Sequence, residues 1–244
     1  MVLTGYSIAP GIRIIPGGAA HLTDQNVLVV ADMHLGAEAA LEYEGLSLPR
    51  VQTAKIAEYM DGVIEAVSPS KVIVAGDLKH NFSRNLVQEW REVERFVKSL
   101  SGKASLEVVK GNHDNYLGIM LREYGVPLRT ETTVSDIRIL HGHRGRLEGG
   151  MTVIGHIHPS LRLRDRTGAS VKSPCFLFSE KRRVLVLPAL SIVAYGVDVI
   201  GQPSSDSMSP LLAESGLSDF VPILFSDEKP LKFPTVGELR AVRD

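Results

Sequence analysis

Cysteine is nearly absent. The chain has one, Cys175, so no internal disulfide can form. That fits a reducing compartment. Within Pro174-Cys175-Phe176-Leu177-Phe178 it reads as a small residue near a strand rather than a catalytic thiol. An excess of either charge is lacking too, with 27 basic against 28 acidic side chains. A protein that grips a nucleic-acid duplex by charge alone shows a basic excess, so extensive duplex binding is not expected. No apolar run approaches the ~18–20 residues that span a bilayer, and no membrane partner is expected. Met1-Val2-Leu3-Thr4-Gly5-Tyr6 shows no charged segment ahead of an apolar one. No signal peptide is read there, and a cytoplasmic location is expected. Internal repeats and low-complexity domains are also missing.

Histidine is present, and it is clustered. Five apolar runs each end in residues of metal-ligand type. Val27–Ala31 runs into Asp32-Met33-His34, and Lys71–Gly76 runs into Asp77 with His80 beyond it. Leu106–Gly111 leads to Asn112-His113-Asp114, Ile137–Leu140 to His141-Gly142-His143, and Thr152–Gly155 to His156-Ile157-His158. The chain has eight histidines, and His21 alone stands outside these clusters.

A chain of 244 residues with 44% hydrophobic and 23% charged residues has the balance of an ordinary globular protein. The first half alternates β-type runs with helical spacing over 51–67 and 84–100, which predicts βαβ units and a mainly parallel sheet. Trp90 fits the apolar stripe of the second helix. From 132 to 200 helical period is lost, and meander-type hairpins are expected. Val184–Leu187 and Ser191–Tyr195 read as buried strands. Leu161, Leu163 and Asp165 alternate with Arg162, Arg164 and Arg166, as on a solvated edge strand. Lys181-Arg182-Arg183 reads as a solvated hairpin turn. Residues 201–219, rich in Ser, Pro, Gly and Asp, predict a surface loop or mobile segment, and Val221–Phe225 a return to the sheet. The expectation is an α/β fold, a single domain over 1–244, with a two-sheet β-sandwich flanked by helices.

In open α/β sheets ligands gather beyond the carboxyl ends of strands, so the five clusters can converge. Gly76, Gly111 and Gly155 precede Asp77, Asn112 and His156, where a residue without Cβ permits a sharp turn and a close approach. The donors are mixed oxygen and nitrogen without thiolate, which excludes a structural zinc finger. Mg²⁺ and Ca²⁺ favour all-oxygen shells. A mixed shell points to Mn²⁺, Fe, Zn²⁺ or Ni²⁺. Seven ligands exceed one ion with an open position and suit two ions sharing a carboxylate.

Asp32-x-His34, Gly76-Asp77, Gly111-Asn112-His113-Asp114, His141-Gly142-His143 and Gly155-His156-x-His158 together resemble the motif set of the calcineurin-like metallophosphoesterases. Asp32-Met33-His34-Leu35-Gly36, followed by Gly45, Pro49 and Gln52, is similar to an archaeal group related to a double-strand-break repair nuclease, and to phosphoesterases associated with DNA ligase. The resemblance implies two metal ions, and Mn²⁺ is the ion expected first. Asp32, His34, Asp77 and His158 would bind one. Asp77, Asn112, His141 and His156 would bind the other, with Asp77 as the bridge. His143, one turn from His141, is the alternative ligand. His113 would be the catalytic imidazole oriented by Asp114, with His80 at the edge holding the scissile phosphate.

Two dications polarise phosphoryl oxygens and yield hydroxide near neutral pH, and a histidine then protonates the departing alkoxide. The expected function is hydrolysis of a phosphate ester, in particular a phosphodiester. The rivals are a DNA-repair-type nuclease acting on single strands or ends, and a non-catalytic metal-binding scaffold.

Overall fold

The computed structural model describes residues 5–46, 48–82, 86–164, 167–194, 196–201, 209–213 and 216–242. The chain opens with an antiparallel meander, β1 (Tyr6–Ala9), β2 (Ile12–Ile15), β3 (Ala19–Leu22) and β4 (Val27–Val30). Two helices follow, α1 (Ala37–Tyr43) and α2 (Gln52–Val67). Then β5 (Lys71–Ala75), α3 (Val87–Ser101), β6 (Ser105–Val109), α4 (Leu117–Glu123) and β7 (Leu128–Arg129) complete a first sheet. Its order is β1-β2-β3-β4-β5-β6-β7, and β4 through β7 run parallel. The expected βαβ units are therefore present. In α2, Gln52, Ile56, Met60 and Val63 are buried at helical spacing. The helix stops at Ser68, which is left-handed at φ 44, just before Pro69. In α3 the buried stripe is Val93, Phe96, Val97 and Leu100. Trp90 packs against the same core.

The second half supplies β8 (Glu131–Val134), β9 (Ile137–Leu140), β10 (Met151–Ile154), β11 (Pro159–Arg164), β12 (Ser170–Pro174), β13 (Phe176–Ser179), β14 (Val184–Val186) and β15 (Val197–Asp198). Next come α5 (Pro210–Ala213), β16 (Val221–Ser226), β17 (Lys229–Lys232) and α6 (Val236–Ala241). The second sheet has the order β17-β16-β13-β14-β10-β9-β8, and a small third sheet has the order β12-β11-β15. The layers run helix, sheet, sheet, helix. Leu28, Val30, Val72 and Val74 face α2 and α3. Val29, Ile73 and Val109 face Ile139, Val153 and Leu185 of the second sheet. Ile154, Val184 and Val186 face Leu212, Phe220 and Val236. Period-2 alternation buries both faces of the central strands. This is the expected α/β sandwich of two sheets flanked by helices.

Five expectations are corrected in whole or in part. Hairpin pairing holds for β8–β9, β13–β14 and β16–β17, but β9, β10 and β14 are parallel. A strand buried on both faces reads as a continuous apolar run whichever way its neighbours point. Of the expected strand Ser191–Tyr195, Tyr195 lies outside the described residues and 191–194 form no strand, because Ser191 Oγ and the Val193 N–H bond to the Gln52 side chain instead of a neighbouring strand. β11 is a middle strand only at Pro159 and Ser160, where β15 pairs with it, and its Arg162–Arg164 stretch pairs with β12 alone; Asp165 and Arg166 lie outside the described residues. Arg182 is more than a solvated turn residue: it pairs with Asp219 and lies over the Phe220 ring. Of the expected loop 201–219, residues 202–208 and 214–215 lie outside the described residues. Within the rest, Ser209, Leu211, Leu212 and Leu217 are buried, since α5 covers the outer face of the second sheet. Val221–Phe225 does return to the sheet as β16.

Candidate metal centre

The carboxyl ends of β4, β5, β6, β9 and β10 meet at one rim. Asp32, Asp77, Asn112, His141 and His156 stand within three residues of these strand ends. Backbone bonds sew the rim together across both sheets. The Asp32 N–H donates to Gly76 O at 3.0 Å, the His34 N–H to Asp77 O at 2.9 Å and the Ser191 N–H to Asp32 O at 3.1 Å. The His156 N–H donates to Asp32 Oδ2 at 2.8 Å. The backbone here is strained. Asp32 (φ 54), His34 (φ 45), Asp77 (φ 50), His156 (φ 70) and His158 (φ 47) are all left-handed. Each such non-glycine residue costs on the order of 1–3 kcal/mol, and the bonds just named hold them there. A Cβ on Gly111 would stand 2.0 Å from Asp77 Oδ1, and one on Gly155 2.6 Å from Asp32 Oδ2. The space of those two glycines is taken by the carboxylates.

The donor atoms converge. Asp32, His34 and His158 offer one group within 4.8 Å, and Asp77, His141 and His156 another. Asp77 Oδ2 is 3.3 Å from His141 Nε2 and 3.9 Å from His34 Nε2, so it faces both groups. Asn112 Oδ1 is 3.0 Å from His141 Nε2. His158 Nε2 lies 3.4 Å from Asp32 Oδ1 and 3.2 Å from His34 Nε2. Asp32 Oδ1 is buried and accepts no hydrogen bond among the described residues. A desolvated carboxylate oxygen of that kind is costly unless a cation meets it. The donor set therefore fits divalent metal. His143 is half-buried beside Arg144, whereas His141 is the one that joins Asp77 and His156 in a group able to hold an ion. Its Nδ1 donates to Ala75 O at 3.0 Å, which aims Nε2 at Asp77 and Asn112.

Charge tells the same story. Burial favours the neutral acid at Asp32 and Asp77, but neighbouring His158 and His141 outweigh it and hold both carboxyls below the usual range. Burial opposes the His141 cation, yet Asp77 and Asp32 win and push the ring up to about 9. His158 is raised against its burial by Asp32. Burial and the His158 charge take His34 down to about 3. Burial takes His80 and His156 down to about 4. Two carboxylates thus draw protons onto two imidazoles, in places where a dication would serve instead.

A third group, His34, His80 and His113, lies beside the other two. The His80 and His113 rings stack at 5.6 Å, and His113 Nδ1 bonds to His80 O. Asp114 does not hold the His113 ring as expected. Its Oδ2 accepts from the Asp77 and Gly111 N–H groups at 2.9 and 2.8 Å, and its Oδ1 from the Lys79 N–H at 3.3 Å. A buried carboxylate satisfied by three backbone donors fixes the loops. Burial, then Asp77, pushes it up to about 6.

Sequence reasoning missed the supports behind the candidate ligands. Buried Gln52 donates through Nε2 to His34 O at 2.7 Å and accepts through Oε1 from Ser191 Oγ at 2.7 Å. Glu89 Oε1 accepts the His80 and Asn81 N–H groups at 3.0 and 2.5 Å. Lys79, 1% exposed, reaches the Asn81 carbonyl. Gln52 and Glu89 did carry a signal: each is a polar residue on the buried stripe of its helix.

Residues 25–169 match the family model of calcineurin-like phosphoesterases, and the chain belongs to that family. Its members are phosphoesterases that bind divalent metals. Among solved structures, nuclease MPE of Pseudomonas putida is similar in fold, with a TM-score of 0.63 at 18% identity over 87% of this chain and 91% of that one. The phosphoesterase Yfce from E. coli gives a TM-score of 0.39 at 16% identity over 70% of this chain and 83% of that one. Among curated proteins a sequence comparison finds no match. Among the described residues, no helix is long and apolar enough to cross a membrane.

Proposed function

We propose that this chain is a dinuclear metal-dependent phosphodiesterase. The observation that carries the reading is Asp77 Oδ2, which faces His141 at 3.3 Å on one side and His34 at 3.9 Å on the other. Asp32, His34, Asp77 and His158 would hold one ion. Asp77, Asn112, His141 and His156 would hold the second. The mixed oxygen and nitrogen donors admit Mn²⁺, Fe, Zn²⁺ or Ni²⁺, and Mn²⁺ is the ion we put first. A bound pair of dications supplies Lewis acidity toward phosphoryl oxygens and makes water acidic near neutral pH. The chain supplies the rest. His113 Nδ1 is committed to the His80 carbonyl, which leaves Nε2 to carry the mobile proton to the departing alkoxide. His80 borders the phosphate, and Asp114 holds the loops that present Asp77 and His113. His113→Ala is expected to lose about 10²–10⁴-fold in turnover while metal content, measured by elemental analysis, stays at the wild-type level. Loss of both metals in that variant overturns the assignment.

A second reading, a nuclease acting on single strands or ends, is favoured by Phe82. Its ring is 56% exposed and stands 6.2 Å from His113, a position in which an unpaired base could stack. The structural neighbour MPE is a nuclease. One assay separates these readings from a non-catalytic scaffold. Protein with Mn²⁺ is offered bis-p-nitrophenyl phosphate, p-nitrophenyl phosphate, cyclic nucleotides and labelled single-stranded DNA. Turnover of the diester first is the expected result. Cleavage of DNA alone favours the nuclease, and no turnover of any favours the scaffold.

A further inference from the structure

A cavity of about 770 Å³ begins at His158 and runs along the small third sheet. Its polar wall is Ser160, Arg162 and Lys172, and its apolar wall includes Phe176, Ile223 and Phe225. Ser160 is 2% exposed, and its Oγ has no hydrogen-bond partner among the described residues. A buried hydroxyl without a partner costs about 1–3 kcal/mol. Arg162 and Lys172 are direct cross-strand partners on β11 and β12. Like charges placed opposite each other in an antiparallel pair destabilise it. One carboxylate answers them: Asp198 Oδ2 lies 3.4 Å from Arg162 Nε. Lys172 has no ion-pair partner among the described residues. Among those residues no carboxylate lines the cavity. The wall is therefore a cationic ladder with one charge in excess and an unused hydroxyl, leading away from a metal-ligand histidine.

We propose that this cleft is a second-anion subsite, which takes a nucleoside carrying a second phosphate beyond the scissile one. The inference rests on the phosphodiesterase reading of the metal centre. Ser160 and Arg162 share one face of β11, about 7 Å apart along the strand. An extended substrate with its scissile group near His158 meets Ser160 first and the two cations next. The sugar and base lie against the partly exposed Phe225 ring, which packs edge to face on buried Phe176 at 6.1 Å. A charge-assisted contact from Lys172 satisfies the ammonium and the phosphate together.

Binding tests this without turnover. Mn²⁺-loaded protein is titrated calorimetrically with thymidine 3′,5′-bisphosphate and with thymidine 5′-monophosphate. The bisphosphate is expected to bind about tenfold more tightly, the scale of one hydrogen bond to a charged group. Lys172→Ala is expected to bring the two affinities together. Lys181→Ala removes an equal charge from an exposed turn and is expected to preserve the tenfold gap. Equal affinities in the wild type, or a gap that survives Lys172→Ala, overturn the subsite. Hydrolysis of bis-p-nitrophenyl phosphate is followed in parallel. Its absence alongside an intact Lys172-dependent gap removes the phosphodiesterase reading and leaves the subsite standing.

Discussion

His141 concentrates the physics of the site. Its Nδ1 is fixed on Ala75 O, and its Nε2 faces Asn112 and Asp77. The two carboxylates keep it protonated up to about pH 9. A cation at Nε2 must displace that proton, and the His158 ring is raised in the same direction. The sign follows: metal affinity climbs as pH rises, until these rings lose their protons unaided. Manganese uptake at pH 7 is expected to release between about one and two protons per protein, read from titrations in buffers of different ionisation enthalpy. Heat that is independent of the buffer contradicts this account of His141 and His158. Much of this site is legible from residue type alone. Asp32, His34, Asp77, Asn112, His141, His156 and His158 stand at the strand ends and converge. What the letters do not carry is hydrogen-bond direction. Asp114 beside His113 reads as its orienter, yet its oxygens turn to backbone donors. The left-handed backbone of five candidate ligands is equally silent, since a positive φ at Asp or His leaves no trace in composition.

Among the elements, α2 links the helical layer to the rim. Its first residue, Gln52, bonds the His34 carbonyl and the Ser191–Val193 segment at once. Gln52→Ala strands buried partners on both sides, and each unsatisfied group costs about 1–3 kcal/mol. A loss of roughly 2–3 kcal/mol is expected, seen as a lower urea midpoint at unchanged slope. A wild-type midpoint contradicts the bridging role of Gln52. The long amphipathic elements were readable because period and burial agree: α2 and α3 lie where spacing puts them. The short helices α1 and α4 were not, since seven residues each give too few turns for a periodic signal. Residues 191–194 failed for a different reason. Their β-type letters are overruled by a side chain on a helix far away in sequence.

For the whole molecule, the two sheets are joined by an apolar layer and by the rim. Val29, Ile73 and Val109 pack on Ile139, Val153 and Leu185, while Asp32 accepts from His156 across the same boundary. Metal that binds only the folded rim stabilises the entire fold by mass action. At one hundred times its dissociation constant it adds about 2.7 kcal/mol, or roughly 5–10 °C in melting temperature for a chain of this size. Chelator is expected to reverse that shift, and circular dichroism to show one transition in both states. Unchanged melting would mean that the ions sit elsewhere. The layer order was legible because central strands buried on both faces read as unbroken apolar runs. Strand direction in the second sheet was not, since hydrophobicity has no sense of up or down.

Asp32 has one further consequence. Its carbonyl, amide and carboxylate reach the 191 segment, the β5 loop and the β10 loop respectively. The carboxylate, which accepts the His156 N–H, is thus both the side-chain rivet between halves of the sandwich and a candidate ligand. Evolution cannot trade it away for a different metal preference without also loosening the frame, so changes in specificity are steered outward, to walls such as the Arg162–Lys172 ladder.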